Sequence, residues 1–226
     1  RLYSEAEESM NAGNCRIALE YMDKIQARYP FGRYAQQAQL DTIFIQYRDS
    51  EPDAAIAAAD RFIKANPRHP YVDYAYYMKG LVNFQRSNTL IDRIAPSDRD
   101  KTDTSTARQS YNDFAELVRK FPDSQYAEDA RLRMQFLHNS LAAYEVNVAN
   151  YYLKRGAYVA AVNRATYVLE TYARTPSTAS ALSIMTEAYV NMGMPQLAAD
   201  SLRVLERNYR QSPDLPKLNA LVKGAG

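Results

Sequence analysis

The sequence predicts an all-α fold, a superhelical array of about five helix pairs, and three observations carry that prediction. A spacing P-x3-Y-x3-A recurs at Pro30, Tyr34 and Ala38, at Pro67, Tyr71 and Ala75, and at Pro122, Tyr126 and Ala130. A second spacing sets a turn glycine five residues before a small helix contact, in Gly13 and Ala18, Gly156 and Ala161, and Gly193 and Ala198, with Ala55 in the same place ahead of Pro67. Long segments such as Tyr34 to Tyr47 and Thr106 to Phe121 carry no helix breaker and are rich in Ala, Leu, Gln, Arg and Glu, all good helix formers. Each proline stops one helix and each downstream alanine opens the next. Helix–turn–helix units of about 34 residues are the signature of tetratricopeptide repeats, so the expected architecture is a tetratricopeptide-like α-solenoid.

Taken in order, the helix pairs are expected at 1–30, 34–67, 71–122, 125–173 and 177–213, followed by a tail through Pro213 and Pro216. Gly13, Gly156 and Gly193 relieve the turns within pairs, and the alanines let antiparallel helices approach closely. The third pair is long because Ser87 to Ser105, with Asp92, Asp98, Asp100 and Asp103 around Pro96, reads as a polar insertion. The fourth is long because Gln125 to Arg155 reads as one extended helix. Ala173 stands where the repeat favours proline. Two halves are expected, repeats 1–3 over 1–122 with the insertion at 87–105, and repeats 4–5 over 123–226.

Composition narrows the function classes. With 46% hydrophobic and 24% charged residues the chain has the makings of a packed core. The formal charge of +2, from 28 basic and 26 acidic residues interspersed along the chain, gives no broad cationic surface for nucleic acid. Cys15 stands alone, so no intramolecular disulfide is available. No run approaches the ~18 apolar residues of a membrane span, and Arg1 falls inside an apparent helix without a leader before it, so a soluble, trimmed body is expected. Nineteen tyrosines and no tryptophan favour surfaces that are apolar in body and wet at the edge, as interfaces are.

Catalytic, metal and nucleotide chemistry are not expected. His69 and His138 are the two histidines and lie far apart in sequence, without the convergent partners that nucleophilic or metal chemistry needs. No phosphate-cradling glycine loop occurs. Asp98, Asp100 and Asp103 lack the glycine and closing glutamate of a calcium loop. The expectation is therefore a non-enzyme without cofactor or metal. In the third pair, Tyr74, Tyr77, Met78 and Leu81 follow helical packing spacing, while Tyr76 falls off that face and points either to a ligand groove or to a neighbouring repeat. In the second pair, Leu40, Ile43, Phe44 and Tyr47 form the packing face with Asp41 and Arg48 beside it. Inner helices of such arrays line the concave surface, which makes Asp41, Tyr47, Arg48, Tyr74 and Tyr77 the candidate groove residues for a partner polypeptide.

The segments RYPFGRYAQQAQL (28–40), FIKANPRHPYVDYAYYMKGL (62–81), SDRD (97–100), FAELVRKFPDSQYAEDA (114–130) and YYLKRGAYVAAVNR (151–164), in this order over nearly the whole chain, closely resemble the BamD (ComL) family. The resemblance implies an outer membrane protein assembly factor: a lipoprotein at the periplasmic face of the cell outer membrane, acting in the machinery that folds and inserts β-barrel proteins. It implies an N-terminal lipid anchor on a cysteine upstream of this sequence, which Cys15 is not. It further implies that repeats 1–3 receive unfolded outer-membrane protein precursors, while repeats 4–5 contact the BamA periplasmic domains and accessory Bam lipoproteins. Within the matching segment, Arg164 is the residue expected to pair with a BamA carboxylate. The alternative reading is a periplasmic tetratricopeptide-repeat adaptor for cell-wall or division complexes, against which stands the lack of sustained heptads for the coiled coil such proteins use.

Overall fold

The computed structural model describes residues 1–93 and 104–224, and among them eleven helices and no strand. They pair as expected: α1 (Leu2–Asn11) with α2 (Cys15–Arg28), α3 (Arg33–Arg48) with α4 (Pro52–Ala65), α5 (Val72–Arg93) with α6 (Ser105–Lys120), α7 (Ala127–Lys154) with α8 (Tyr158–Thr171), and α9 (Ser177–Asn191) with α10 (Pro195–Asn208). The fourth pair does open with a single long helix. The expected tail is instead a helix, α11 (Leu215–Gly224). Pro216 falls in its first turn, where a missing N–H costs nothing, and Leu218 is buried with Leu182, Leu202 and Leu205. The described residues fall into two compact units, 1–93 with 104–134, and 135–224, so the division lies within α7.

The turns inside the first, second, fourth and fifth pairs share one hydrogen-bond scheme. After α1, Asn14 N–H donates to Ser9 C=O and Gly13 N–H to Met10 C=O; after α7, Ala157 donates to Tyr152 and Gly156 to Leu153; after α9, Met194 donates to Tyr189 and Gly193 to Val190. This crossed pair of bonds needs a left-handed residue, and Gly13, Gly156 and Gly193 sit at φ 77°, 74° and 66°. The second pair makes the same bonds, Glu51 to Gln46 and Ser50 to Tyr47, with Ser50 at φ 60° in the glycine's place. Five residues on, Ala18, Ala55, Ala161 and Ala198 are each fully buried.

The turns between pairs also repeat. Tyr29, Asn66, Phe121, Tyr172 and Tyr209 each donate a backbone N–H four residues back to close a helix, and each carbonyl accepts from three residues on. The scheme survives at Tyr172, where Ala173 replaces proline; there Arg174 takes φ 66°. Proline is thus one way of stopping these helices, and the hydrogen bonds are the common element.

Two expectations need correction. The polar insertion does not begin at Ser87: α5 runs on to Arg93, and Ser87 is buried with its hydroxyl donating to Phe84 C=O. Residues 94–103, including Pro96, Asp98, Asp100 and Asp103, lie outside the described residues. On α5 the buried face is Val72, Ala75, Tyr76, Met78 and Val82, while Tyr74, Tyr77 and Leu81 are only half-buried. Tyr76 packs on Phe121 with ring centroids 5.5 Å apart, and its oxygen accepts from Lys120 Nζ at 2.6 Å. It serves its own helix pair.

Helices α5 and α6 approach closely at Gly80. Gly80 lies under the fully buried ring of Phe114, and a Cβ at Gly80 would fall 2.5 Å from that ring. At Gly156, by contrast, a Cβ would meet nothing nearer than Tyr158 Oη at 4.0 Å. We predict that Gly80→Ala costs about 1–3 kcal/mol through overpacking, whereas Gly156→Ala costs about 1 kcal/mol through backbone strain alone. Urea unfolding of both variants checks this; equal losses would show that the ring above Gly80 yields freely.

Candidate functional site

The first helices of the pairs turn polar and aromatic stripes to one side. On α3, Gln37, Leu40, Asp41 and Phe44 follow the i, i+3, i+4, i+7 rule; on α5, Tyr74 and Tyr77 are one turn apart, with Tyr71 just before the helix; on α7, Asp129 and Arg133 follow Tyr126. Helices α3 and α5 lie against each other. Their stripes and the residues entering α7 border an open cavity of about 490 Å³, lined from α3 by Gln37, Leu40, Asp41 and Phe44, and opposite by Tyr71, Tyr74, Gln125 and Tyr126. Its size and its mixture of rings and a few polar groups suit a ligand site.

The side chains hold one another in place. Tyr3 of α1 donates its hydroxyl to Asp41 Oδ2 at 2.6 Å, and Gln37 Nε2 donates to Asp41 Oδ1 at 3.0 Å. Tyr77 stacks on Tyr126 with centroids 4.7 Å apart and 19° between planes, while Tyr74 meets the same ring at 5.8 Å. Tyr77 Oη donates to Asp129 Oδ2 at 2.7 Å, and Arg133 also donates to that carboxylate. Ser124 donates to Asp73 Oδ2 at 2.6 Å and its oxygen accepts from Tyr126 N–H.

Burial, reinforced by acidic neighbours or the neighbouring phenols, pushes the hydroxyls of Tyr3, Tyr74 and Tyr126 above the ordinary phenol range, and that of Tyr77 up to about 12. All four remain neutral donors at physiological pH. Burial also raises Asp41, with Glu7 adding to the effect and the bonds from Tyr3 and Gln37 opposing it. Burial acts on Asp129 in the same sense but is outweighed by the bonds from Arg133 and Tyr77, which hold it below the usual carboxylate range.

Of the sequence-derived groove residues, Asp41 and Tyr74 line the cavity and Tyr77 supports it from behind Tyr126. Tyr47 is half-buried outside the lining. Arg48 is exposed at the end of α3, its Nη1 donating to Met10 C=O at 3.3 Å and its guanidinium 5.8 Å from the Phe44 ring. Gln37, Tyr71, Gln125 and Tyr126 were missing from the sequence reading of the groove, and Leu40 and Phe44, read there as packing face, also line it. Tyr71 and Tyr126 are the tyrosines of the P-x3-Y-x3-A spacing, so the repeat punctuation itself carried the signal.

Arg164, on α8, donates from Nη1 to Glu145 Oε2 at 3.0 Å. The glutamate side chain on α7 is 2% exposed and the arginine side chain 47% exposed. The arginine thus meets a carboxylate of its own chain. His69 packs edge-on to Phe62 and its Nδ1 accepts from Tyr71 N–H; the His138 ring meets Tyr172 at 5.1 Å. Among the described residues no group of three His, Cys, Asp or Glu is placed to hold a metal ion, and no helix is long and apolar enough to cross a membrane.

Successive antiparallel helix pairs define a class, the tetratricopeptide-like α-solenoids. Comparison with known proteins takes the assignment further: a sequence family described as "Outer membrane lipoprotein" (YfiO) matches residues 1–205, and the chain belongs to that family. It is similar to the outer membrane protein assembly factor BamD of Neisseria meningitidis serogroup A, 43% identical over 215 residues, covering 95% of this chain and 80% of that one. The BamD of Xylella fastidiosa strain Temecula1 is 38% identical, covering 96% and 73%. That of Vibrio cholerae is 34% identical, covering 92% and 86%.

Two outcomes test this geometry. Because its native-state pKa is raised, ionised Asp41 weighs against folding above the unfolded-state value of about 3.9, and that weight vanishes as pH falls below it. The stability of Asp41→Asn relative to wild type should therefore be more favourable at pH 7 than near pH 3.5; a difference independent of pH would contradict the burial of this carboxylate. Arg164→Glu would set a second carboxylate against buried Glu145 and should cost about 1–3 kcal/mol in urea unfolding, reduced from the value for a fully buried pair by the exposure of the arginine. Unchanged stability would mean that Glu145 does not depend on Arg164.

Proposed function

We propose that the chain is an outer membrane protein assembly factor that works as a non-catalytic receptor and scaffold. The observation that carries this reading is the similarity to assembly factors named BamD over more than nine-tenths of the chain. Repeats 1–3, over 1–122, together with Gln125 and Tyr126 at the entry to α7, take an unfolded β-barrel precursor in the cavity between α3, α5 and the start of α7. Contacts with rings, amides and hydroxyls are individually weak, so a precursor can be held and handed on. Repeats 4–5, over 123–226, dock on the BamA periplasmic domains and accessory Bam lipoproteins. Arg164 supports that role because its half-exposed guanidinium spends one donor on Glu145 and has others to offer a partner carboxylate. The site of action is the periplasmic face of the outer membrane, with a lipid anchor on a cysteine N-terminal to Arg1.

Affinity purification of the tagged, lipid-anchored protein from detergent-solubilised envelopes tests the proposal. BamA should be recovered with the wild type. Recovery of peptidoglycan synthases or Tol components without BamA would overturn it in favour of a cell-wall or division adaptor.

A further inference from the structure

The cavity between α3 and α5 has an unusual electrostatic character. The two hydrogen-bond donors to the Asp41 carboxylate, Tyr3 and Gln37, are neutral, and among the described residues no lysine, arginine or histidine pairs with it. The lining contains no basic residue, and Glu7 adds a second negative charge nearby. Four rings, Phe44, Tyr71, Tyr74 and Tyr126, face the same space, and the face of an aromatic ring is its negative region. Carboxylate and rings therefore act with one sign.

Elsewhere the chain satisfies such rings itself. Lys120 lies 4.6 Å from the Tyr76 centroid, Arg133 4.7 Å from that of Phe84 and Arg33 5.0 Å from that of Tyr34. At the cavity the nearest equivalent is Arg48, outside the lining and 5.8 Å from Phe44, at the outer limit of a useful cation–π contact. Rings grouped around a carboxylate make a cage for a cation, and Leu40 and Phe44 offer apolar surface for the methylene stem of a long basic side chain. A carboxylate terminus would enter a field of its own sign.

We propose that Asp41 with Phe44, Tyr71, Tyr74 and Tyr126 forms a subsite that takes a cationic side chain, lysine or arginine, from a bound polypeptide. This rests on the reading that the cavity binds polypeptide, and it assigns what that polypeptide must carry. Ion pairing to Asp41 supplies charge selectivity and the rings supply contact area, so loss of the charge on either side removes the preference.

The test uses the full chain and two peptides alike except at one position. Each alternates tyrosine and threonine and ends in phenylalanine; one carries a central arginine and its twin carries citrulline, which keeps the shape without the charge. Fluorescence anisotropy should show the arginine peptide binding at least about fivefold tighter. Asp41→Asn should bring that ratio to about one, and Tyr71→Leu, at an exposed position, should lower it while circular dichroism stays unchanged. If both peptides bind wild type equally and Tyr71→Leu weakens both, the cavity binds polypeptide but the cation subsite is overturned. An arginine preference that persists in Asp41→Asn overturns it as well. If neither peptide binds, the polypeptide reading of the cavity itself fails.

Discussion

Close approach of helices through alanine is the constraint on which the rest depends. Ala6, Ala18, Ala38, Ala55, Ala75, Ala130, Ala161, Ala181 and Ala198 are all fully buried, each with a side chain short enough to let a neighbouring backbone in. A larger residue at any of them must displace a helix, since interiors packed to crystal density have no slack. Gly80 under Phe114 takes the principle one methyl further. The small residues share the interior with large side chains such as Ile43, Tyr76 and Met78, while other rings stay clear of it. Phe44, Tyr74 and Tyr126 are gathered around one cavity.

That cavity is ordered before any ligand arrives. Asp41 is fixed by Tyr3 and Gln37, Asp129 by Arg133 and Tyr77, and Asp73 by Ser124. Rings stacked on one another have little rotamer freedom left to lose, which lowers the cost of binding. The surface is therefore preorganised by its own side chains. The pairing of Arg164 with buried Glu145 gives the 135–224 unit its own polar anchor, and any docking role for that arginine is exercised by a side chain already oriented from within.

Much of the fold was legible in the sequence because its punctuation is local. The turn glycines and the P-x3-Y-x3-A spacing mark helix ends whose hydrogen bonds close within a few residues, and the five pairs follow. Ser50 escaped notice because a serine in the left-handed region has no residue-level signature, and α11 because Pro213 and Pro216 read as a tail although proline is at home in a first turn. The groove was legible in part. Asp41 and Tyr74 were found among the groove candidates, but Tyr126 was read only as a boundary marker, and which face of α5 is buried depends on α6, through Phe114 and Phe121, a long-range contact that periodicity does not encode. The partner of Arg164 was likewise hidden, since Glu145 lies on another helix.

The central claim is that an unfolded outer-membrane protein precursor is held at the cavity lined by Tyr71, Tyr74 and Asp41. Its most direct test is site-specific photocrosslinking in living cells, with a photoreactive residue at Tyr71 and, for comparison, at the equally exposed Val159 of α8. Adducts with newly exported barrel precursors at Tyr71, and not at Val159, are the predicted result. Precursor adducts at Val159 alone, or none at either position while BamA is still co-purified, would contradict it.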